Sequence, residues 1–140
     1  MTITWKPTLG SGAYWKNGKC YGSGAIFNST AHTIAKGTFD KSELNGNSCT
    51  LVNYDDTVNV SIRFGQFVDN KENNDIIEYV FDKANWVTFQ STGTMSTKYH
   101  HLFSNGVYQS TTSTDNNIHI TAITTLGSNN NINSFTFSEV

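Results

Sequence analysis

The residues able to do chemistry are adjacent histidines in "KYHH" (His100, His101), acids in "YDD" (Asp55, Asp56) and "DNKENND" (Asp69, Glu72, Asp75), and two cysteines, Cys20 and Cys49. Neighbouring side chains on a strand point to opposite faces, so His100 and His101 do not share one metal ion. The acidic turns offer hard oxygen ligands, yet neither has the alternating acids and central glycine of an EF-hand loop. They are expected as solvated turns, a structural calcium being the one cofactor they could hold, and no metal ligand is assigned. The cysteine spacing matches no zinc or CxxC pattern. Either one internal bridge forms, closing a loop of about 30 residues worth roughly 3–4 kcal/mol, or two thiols are buried.

Hydrolytic chemistry finds no pattern to rest on. A nucleophilic triad needs a serine or cysteine with a histidine and an orienting acid, and no GxSxG elbow or reactive-cysteine context is present. Glycoside cleavage needs two carboxylates flanking a cleft. Glu43, Glu78 and Glu139 are available, but no strand gathers acids on one face. No catalytic residue is assigned, and the chain reads as a non-enzyme.

Aromatic side chains carry the positive signal. "GSGAYWKNGKCYGSG" frames Tyr14, Trp15 and Tyr21 with glycine, lysine and Asn17, and "NGVYQST" offers Tyr108. Tyrosine and tryptophan pair a flat apolar face with a polar tip, which suits half-wet interfaces. Sugars match this, with C–H-rich faces for rings and hydroxyls for short polar groups. Tyr14, Trp15, Asn17, Tyr21 and Tyr108 are therefore the candidate ligand-binding residues. The competing reading is a loop folded across the core with its rings plugging one end. Trp5 and Trp86 read as structural.

The polar surface fits neutral ligands. Seventeen asparagines and thirty-three serines plus threonines stand against three glutamines, and amides and hydroxyls both donate and accept. A net charge of -2 and a single arginine, Arg63, leave no electrostatic footprint for nucleic acid. No apolar run reaches the roughly 18–20 residues that span a bilayer, so no membrane insertion is expected. "MTITWKPTLG" lacks the layout of a signal peptide. The expected partners are glycans or a surface protein assembly. A homo-oligomer would add avidity to a weak single site.

The elements that must position these groups are strands. "TVNVSIRFG" sets Val58, Val60, Ile62 and Phe64 against Asn59, Ser61 and Arg63, "NNIHITAI" sets Ile118, Ile120 and Ala122 against His119 and Thr121, and "NSFTFSEV" buries Phe135 and Phe137. "IIEYVF" and "WVTFQST" are apolar on both faces, as central strands are. "GSGAIFNSTAHTIAKGTF" reads as two strands around "NST", and "FDKSELNG" as one helical turn capped by Asp40. Nine or ten short strands with Gly/Asn turns over residues 1–140 predict one all-β domain. A two-sheet antiparallel β-sandwich of jelly-roll type leads, with a closed barrel as runner-up.

Trp86, Val87 and Phe89, the turn Thr92-Gly93-Thr94 and the closing Asn131-Ile132-Asn133 carry a resemblance over residues 80–140. This segment is similar to the last strands of galactose-binding-like jelly rolls, the carbohydrate-binding modules of the four/nine/twenty-two group in particular. An aspartate common in that closing segment is Asn133 here, which weakens a calcium role for the strand. The resemblance implies a β-sandwich and lectin-like glycan binding, in an extracellular or virion-surface setting. Such sandwiches also serve as virion decoration and adhesion modules acting through protein contacts.

Overall fold

A computed structural model describes residues 2–83, 90–126 and 131–139. The first half contains β1 (Thr2–Trp5), β2 (Thr8–Leu9), β3 (Tyr14–Lys16), β4 (Lys19–Asn28), β5 (Thr33–Asp40), β6 (Glu43–Leu44) and β7 (Gly46–Asn53). The second contains β8 (Asn59–Val68), β9 (Lys71–Asp82), β10 (Gln90–Ser104), β11 (Val107–Leu126) and β12 (Ile132–Glu139). All pair antiparallel in one sheet of order β1-β12-β11-β10-β9-β8-β7-β5-β4-β2, with β3 added to β4 and β6 to β5. The all-β antiparallel expectation holds. Long strands follow one another as a meander, where a jelly roll would exchange them between two sheets. Among the described residues, no helix is long and apolar enough to cross a membrane.

The N-terminal segment joins the ends of this meander. β1 pairs with β12, and β2 pairs with β4 at the far end of the order. Only Lys6 and Pro7 separate them. Proline has no N–H and cannot continue a ladder, so the strand breaks there and its halves serve different neighbours. The three Cα steps from Trp5 to Thr8 reach only about 10 Å, so β12 and β4 are drawn together and the sheet curls closed at this end.

Register then assigns the faces, because directly opposed residues share one. Ile34, Val52, Ile62 and Tyr79 form a row across β5, β7, β8 and β9. They belong to a cluster with Trp5, Phe81, Ile120, Ala122, Phe135 and Phe137, where Trp5 stacks on Phe135 at 5.0 Å. The next row, Ala35, Leu51, Arg63 and Glu78, looks the other way. That second face carries its own cluster of Cys20, Phe39, Leu44, Cys49, Phe67, Ile76 and Phe103. Both cysteines are free thiols buried in it, and burial pushes both above the usual thiol range.

A line of small residues bends the strands between the clusters. Gly24 opposes Gly37, and Cys49 opposes Gly65, which opposes Ile76. Gly65 has φ +150, and a Cβ there would lie 2.6 Å from the Asp75 carbonyl oxygen. Glycine alone fits such a close approach. Register shifts at Gly46/Cys49 and Gly65/Gln66 add to the bend, as bulges do.

The segment expected to form a helical turn after Asp40 is a hairpin instead. Lys41 and Ser42 have φ of 52° and 64°, the left-handed pair of a two-residue hairpin turn. The turn returns Leu44 to the second cluster, where it is buried. Trp86, Val87 and Phe89 lie outside the described residues.

Candidate functional site

The ring-rich stretch folds as a hairpin of β3 on β4, turned at Asn17 and Gly18 with φ of 52° and 75°. Asn–Gly is the favoured pair for such a turn, so backbone geometry already accounts for Asn17. Tyr14 opposes Tyr21, and their rings stack at 5.2 Å with 11° between planes. Trp15 opposes Cys20 and so stands on the second face. Tyr14 and Trp15 are 54% and 56% exposed. The competing reading, with these rings plugging the core, does not describe them; Trp5, read as structural, is buried.

Tyr108 lies elsewhere in the chain but on the same second face as Trp15, since it opposes Phe103 of the second cluster. It is 55% exposed. Two register shifts on β11 set its surroundings: Phe103, Leu102, His101 and His100 oppose Tyr108, Ser110, Thr111 and Ser113. Gln109 and Thr112 are the extra residues. In an unbroken strand Tyr108 and Thr111 would face opposite ways; the bulges turn both toward His101. The Tyr108 hydroxyl lies 2.7 Å from Thr111 Oγ1. Its ring meets His101 at 5.8 Å and Phe103 at 5.9 Å, edge to face.

Behind Tyr108 runs a polar network that sequence reasoning left unassigned. Thr111 Oγ1 lies 2.9 Å from His101 Nδ1, and His101 Nε2 lies 3.1 Å from Glu78 Oε1. Ser61 donates to Glu78 Oε2 at 2.5 Å and Arg63 Nε donates to the same oxygen at 2.7 Å. Arg63 Nη1 donates to Glu72 at 2.9 Å, and the guanidinium lies 5.6 Å from the Phe103 ring centroid. Burial alone would raise the Glu78 carboxyl, but hydrogen bonds from Ser61, Arg63 and His101 and the Arg63 charge hold it below the usual range. The expectation that His100 and His101 part company holds, since His100 opposes Ile77 and His101 opposes Ile76.

The second face also carries two shallow depressions that meet at Leu51. One, of about 300 Å³, is lined by Asn53, Asp56, Asn59, Ser61, Arg63 and Glu78. The other, of about 320 Å³, has Ile26, Ala35 and Phe39 on its floor and Asn28, Thr33 and Asn70 at its rim. Neither is lined by any of the five residues singled out from sequence. Among the described residues, no three histidines, cysteines or acids gather to hold a metal ion. Asp56 Oδ1 instead accepts the Val58 and Asn59 amides, and Asp55 pairs with His32 at 3.0 Å.

No family model, curated protein or solved structure matches the chain.

Proposed function

We propose that this protein is a non-catalytic, lectin-like binder of neutral carbohydrate, contacted through the second face and the β3–β4 hairpin. One observation carries the reading: Tyr14, Trp15 and Tyr108 are each more than half exposed, although the fold buries Trp5, Phe67, Phe135 and Phe137 completely or nearly so. Burying a large ring is worth roughly 1.5–3 kcal/mol, so leaving three outside forgoes stability the chain had the means to take. Two of the three are also held in place. Tyr14 stacks on Tyr21, and Tyr108 is fixed by Thr111, His101 and Phe103. Rings already ordered lose little entropy on binding. The neighbouring depressions supply amides, hydroxyls and one guanidinium, the short polar partners that hydroxyl-rich ligands use.

The test is a glycan array probed with the chain displayed in many copies, since one site with few anchors binds weakly. The reading expects signals that fall at least tenfold with Trp15→Ala or Tyr108→Ala. Silence from the multivalent display overturns it.

A second reading, an adhesive or virion-surface module acting through protein contacts, draws on a different observation. From Val107 to Asn117, β11 pairs among the described residues with β10 alone, because β12 joins it from Ile120 onward. That leaves an exposed edge made mostly of neutral polar residues, with Val107, Tyr108 and Asp115 among them. Light scattering of the purified chain decides it: a stable oligomer, or a monomer that binds only an assembled particle, favours this reading over the first.

A further inference from the structure

The hydrogen bonds behind Tyr108 form one chain in which every proton can be placed. Glu78 Oε2 takes hydrogens from Ser61 and from the Arg63 guanidinium at 2.7 Å, and that charge beside it favours the carboxylate, which can only accept. His101 Nε2, facing it at 3.1 Å, therefore carries the hydrogen. A neutral imidazole has one N–H, so Nδ1 is bare and accepts from the Thr111 hydroxyl at 2.9 Å. Thr111 has then used its only hydrogen. Across 2.7 Å it must accept from Tyr108, and the phenol offers solvent only its lone pairs.

Protonation of His101 reverses the order. Nδ1–H then donates to Thr111 Oγ1, the threonine hydrogen is released to the phenol oxygen, and the hydrogen of Tyr108 can point outward. We propose that His101 sets the hydrogen-bond polarity of Tyr108. The exposed phenol accepts from a ligand N–H or O–H when the imidazole is neutral, and donates to a ligand hydroxyl or ether oxygen when it is charged. The ligand half of this proposal rests on the carbohydrate reading; the relay does not.

The surroundings accommodate both states. His101 meets Glu78 of β9, Tyr99 of β10 stacked at 5.1 Å and Tyr108 of β11, and Glu78 links it to Arg63 of β8 and that residue's second partner, Glu72 of β9. With a neutral imidazole, two carboxylates face one guanidinium. With an imidazolium the charges balance, so the cluster stays intact while the hydroxyls turn.

The experiment is nuclear magnetic resonance on the whole chain with isotope-labelled histidine nitrogens and tyrosine Cζ, followed from high pH downward until the His101 nitrogens report the charged ring. At the upper end, His101 is expected to show a protonated Nε2 and a bare Nδ1. Tyr108 Cζ should follow the His101 titration. In Thr111→Val, which keeps the branched shape and cuts the link, His101 should still titrate while Tyr108 loses most of its shift. Thr111→Ser should restore it. A neutral His101 protonated on Nδ1 overturns the proposal. So does a Tyr108 shift unchanged in Thr111→Val, because a charge felt through space would give the same signal without a relay. A chain that passes these tests but binds no glycan loses the carbohydrate reading and keeps the relay. Glycan binding without the relay sinks this proposal alone.

Discussion

Replacing Trp15 with alanine separates a ring held for contact from one held for packing. At 56% exposure, Trp15 keeps less than half of its surface from water. Truncating a core Trp or Phe costs about 3–5 kcal/mol, a sum of lost transfer energy and a cavity. No closed cavity forms at a half-exposed position, so only part of the transfer term is at stake. Taking about half of the 1.5–3 kcal/mol for a fully buried side chain gives about 1 kcal/mol. For a domain of this size, that corresponds to a fall in Tm of about 4 °C. Trp5 is the internal control: it is 2% exposed and stacked on Phe135, so Trp5→Ala should cost about 3–5 kcal/mol. Urea unfolding followed by circular dichroism measures both, with the midpoints compared at equal slope. A Trp15→Ala loss approaching that of Trp5→Ala would show that the hairpin ring is part of the core, and the argument from exposed rings would fail.

Gly65→Ala should cost about 1–3 kcal/mol, since φ is +150 and the new Cβ would meet Asp75 O at 2.6 Å and Ile76 Cδ1 at 2.7 Å; an unchanged urea midpoint would refute the bend. Glu78 is held below the usual carboxylate range, so the stability it adds is complete above its unfolded value, about 4.3, and is lost as pH falls through its lower folded value. Glu78→Gln should therefore start less stable at neutral pH, and its gap to the natural chain should narrow on acidification; a gap of constant size counts against the assignment. Cys20 and Cys49 are buried, with thiols pushed up, so an aromatic disulfide reagent should leave both untouched in the folded chain and titrate both in urea. Rapid labelling without urea would contradict the packing of the second cluster.

Alternation along a strand is written in its own residues, and there the sequence is a good guide except at Val58, which the alternation sets on the apolar face but which precedes β8 and is 59% exposed. Val60, Ile62 and Phe64 turn inward, as do Ile120, Ala122, Phe135 and Phe137. Bulges are different, because a register shift depends on both strands. Nothing in "VYQSTTST" says that Gln109 and Thr112 go unpaired, so the meeting of Tyr108 with Thr111 and His101 could not be read. Glu78 did leave a signal. A carboxylate inside the apolar run "IIEYVF" must be partnered when buried, and Arg63, the sole arginine, lies on a strand whose polar face could supply the partner. The helical turn expected after Asp40 failed on chemistry that was visible only in the backbone, the left-handed pair at Lys41 and Ser42.

A sheet that buries apolar clusters on both faces leaves the polar groups between them little water to use. Those on the second face must satisfy one another, and the line from Ser61 through Glu78, His101 and Thr111 does so. Such a line has to end where solvent begins, and it ends on the Tyr108 phenol. Trp15 faces Cys20 across the β3–β4 pair, where the neighbouring side chain is a buried thiol. The two rings should therefore contribute to binding in different ways. Trp15→Ala should weaken binding by the same factor at every pH between about 5 and 8, because stacking does not respond to a proton in the interior. Tyr108→Phe keeps the ring and removes the hydroxyl, so it should flatten whatever pH dependence the natural chain shows over that range. Isothermal titration against the strongest array ligand reads both. If Tyr108→Phe leaves the pH profile as steep as before, the phenol is not the outlet of the relay, and the pH response must come from another titrating group.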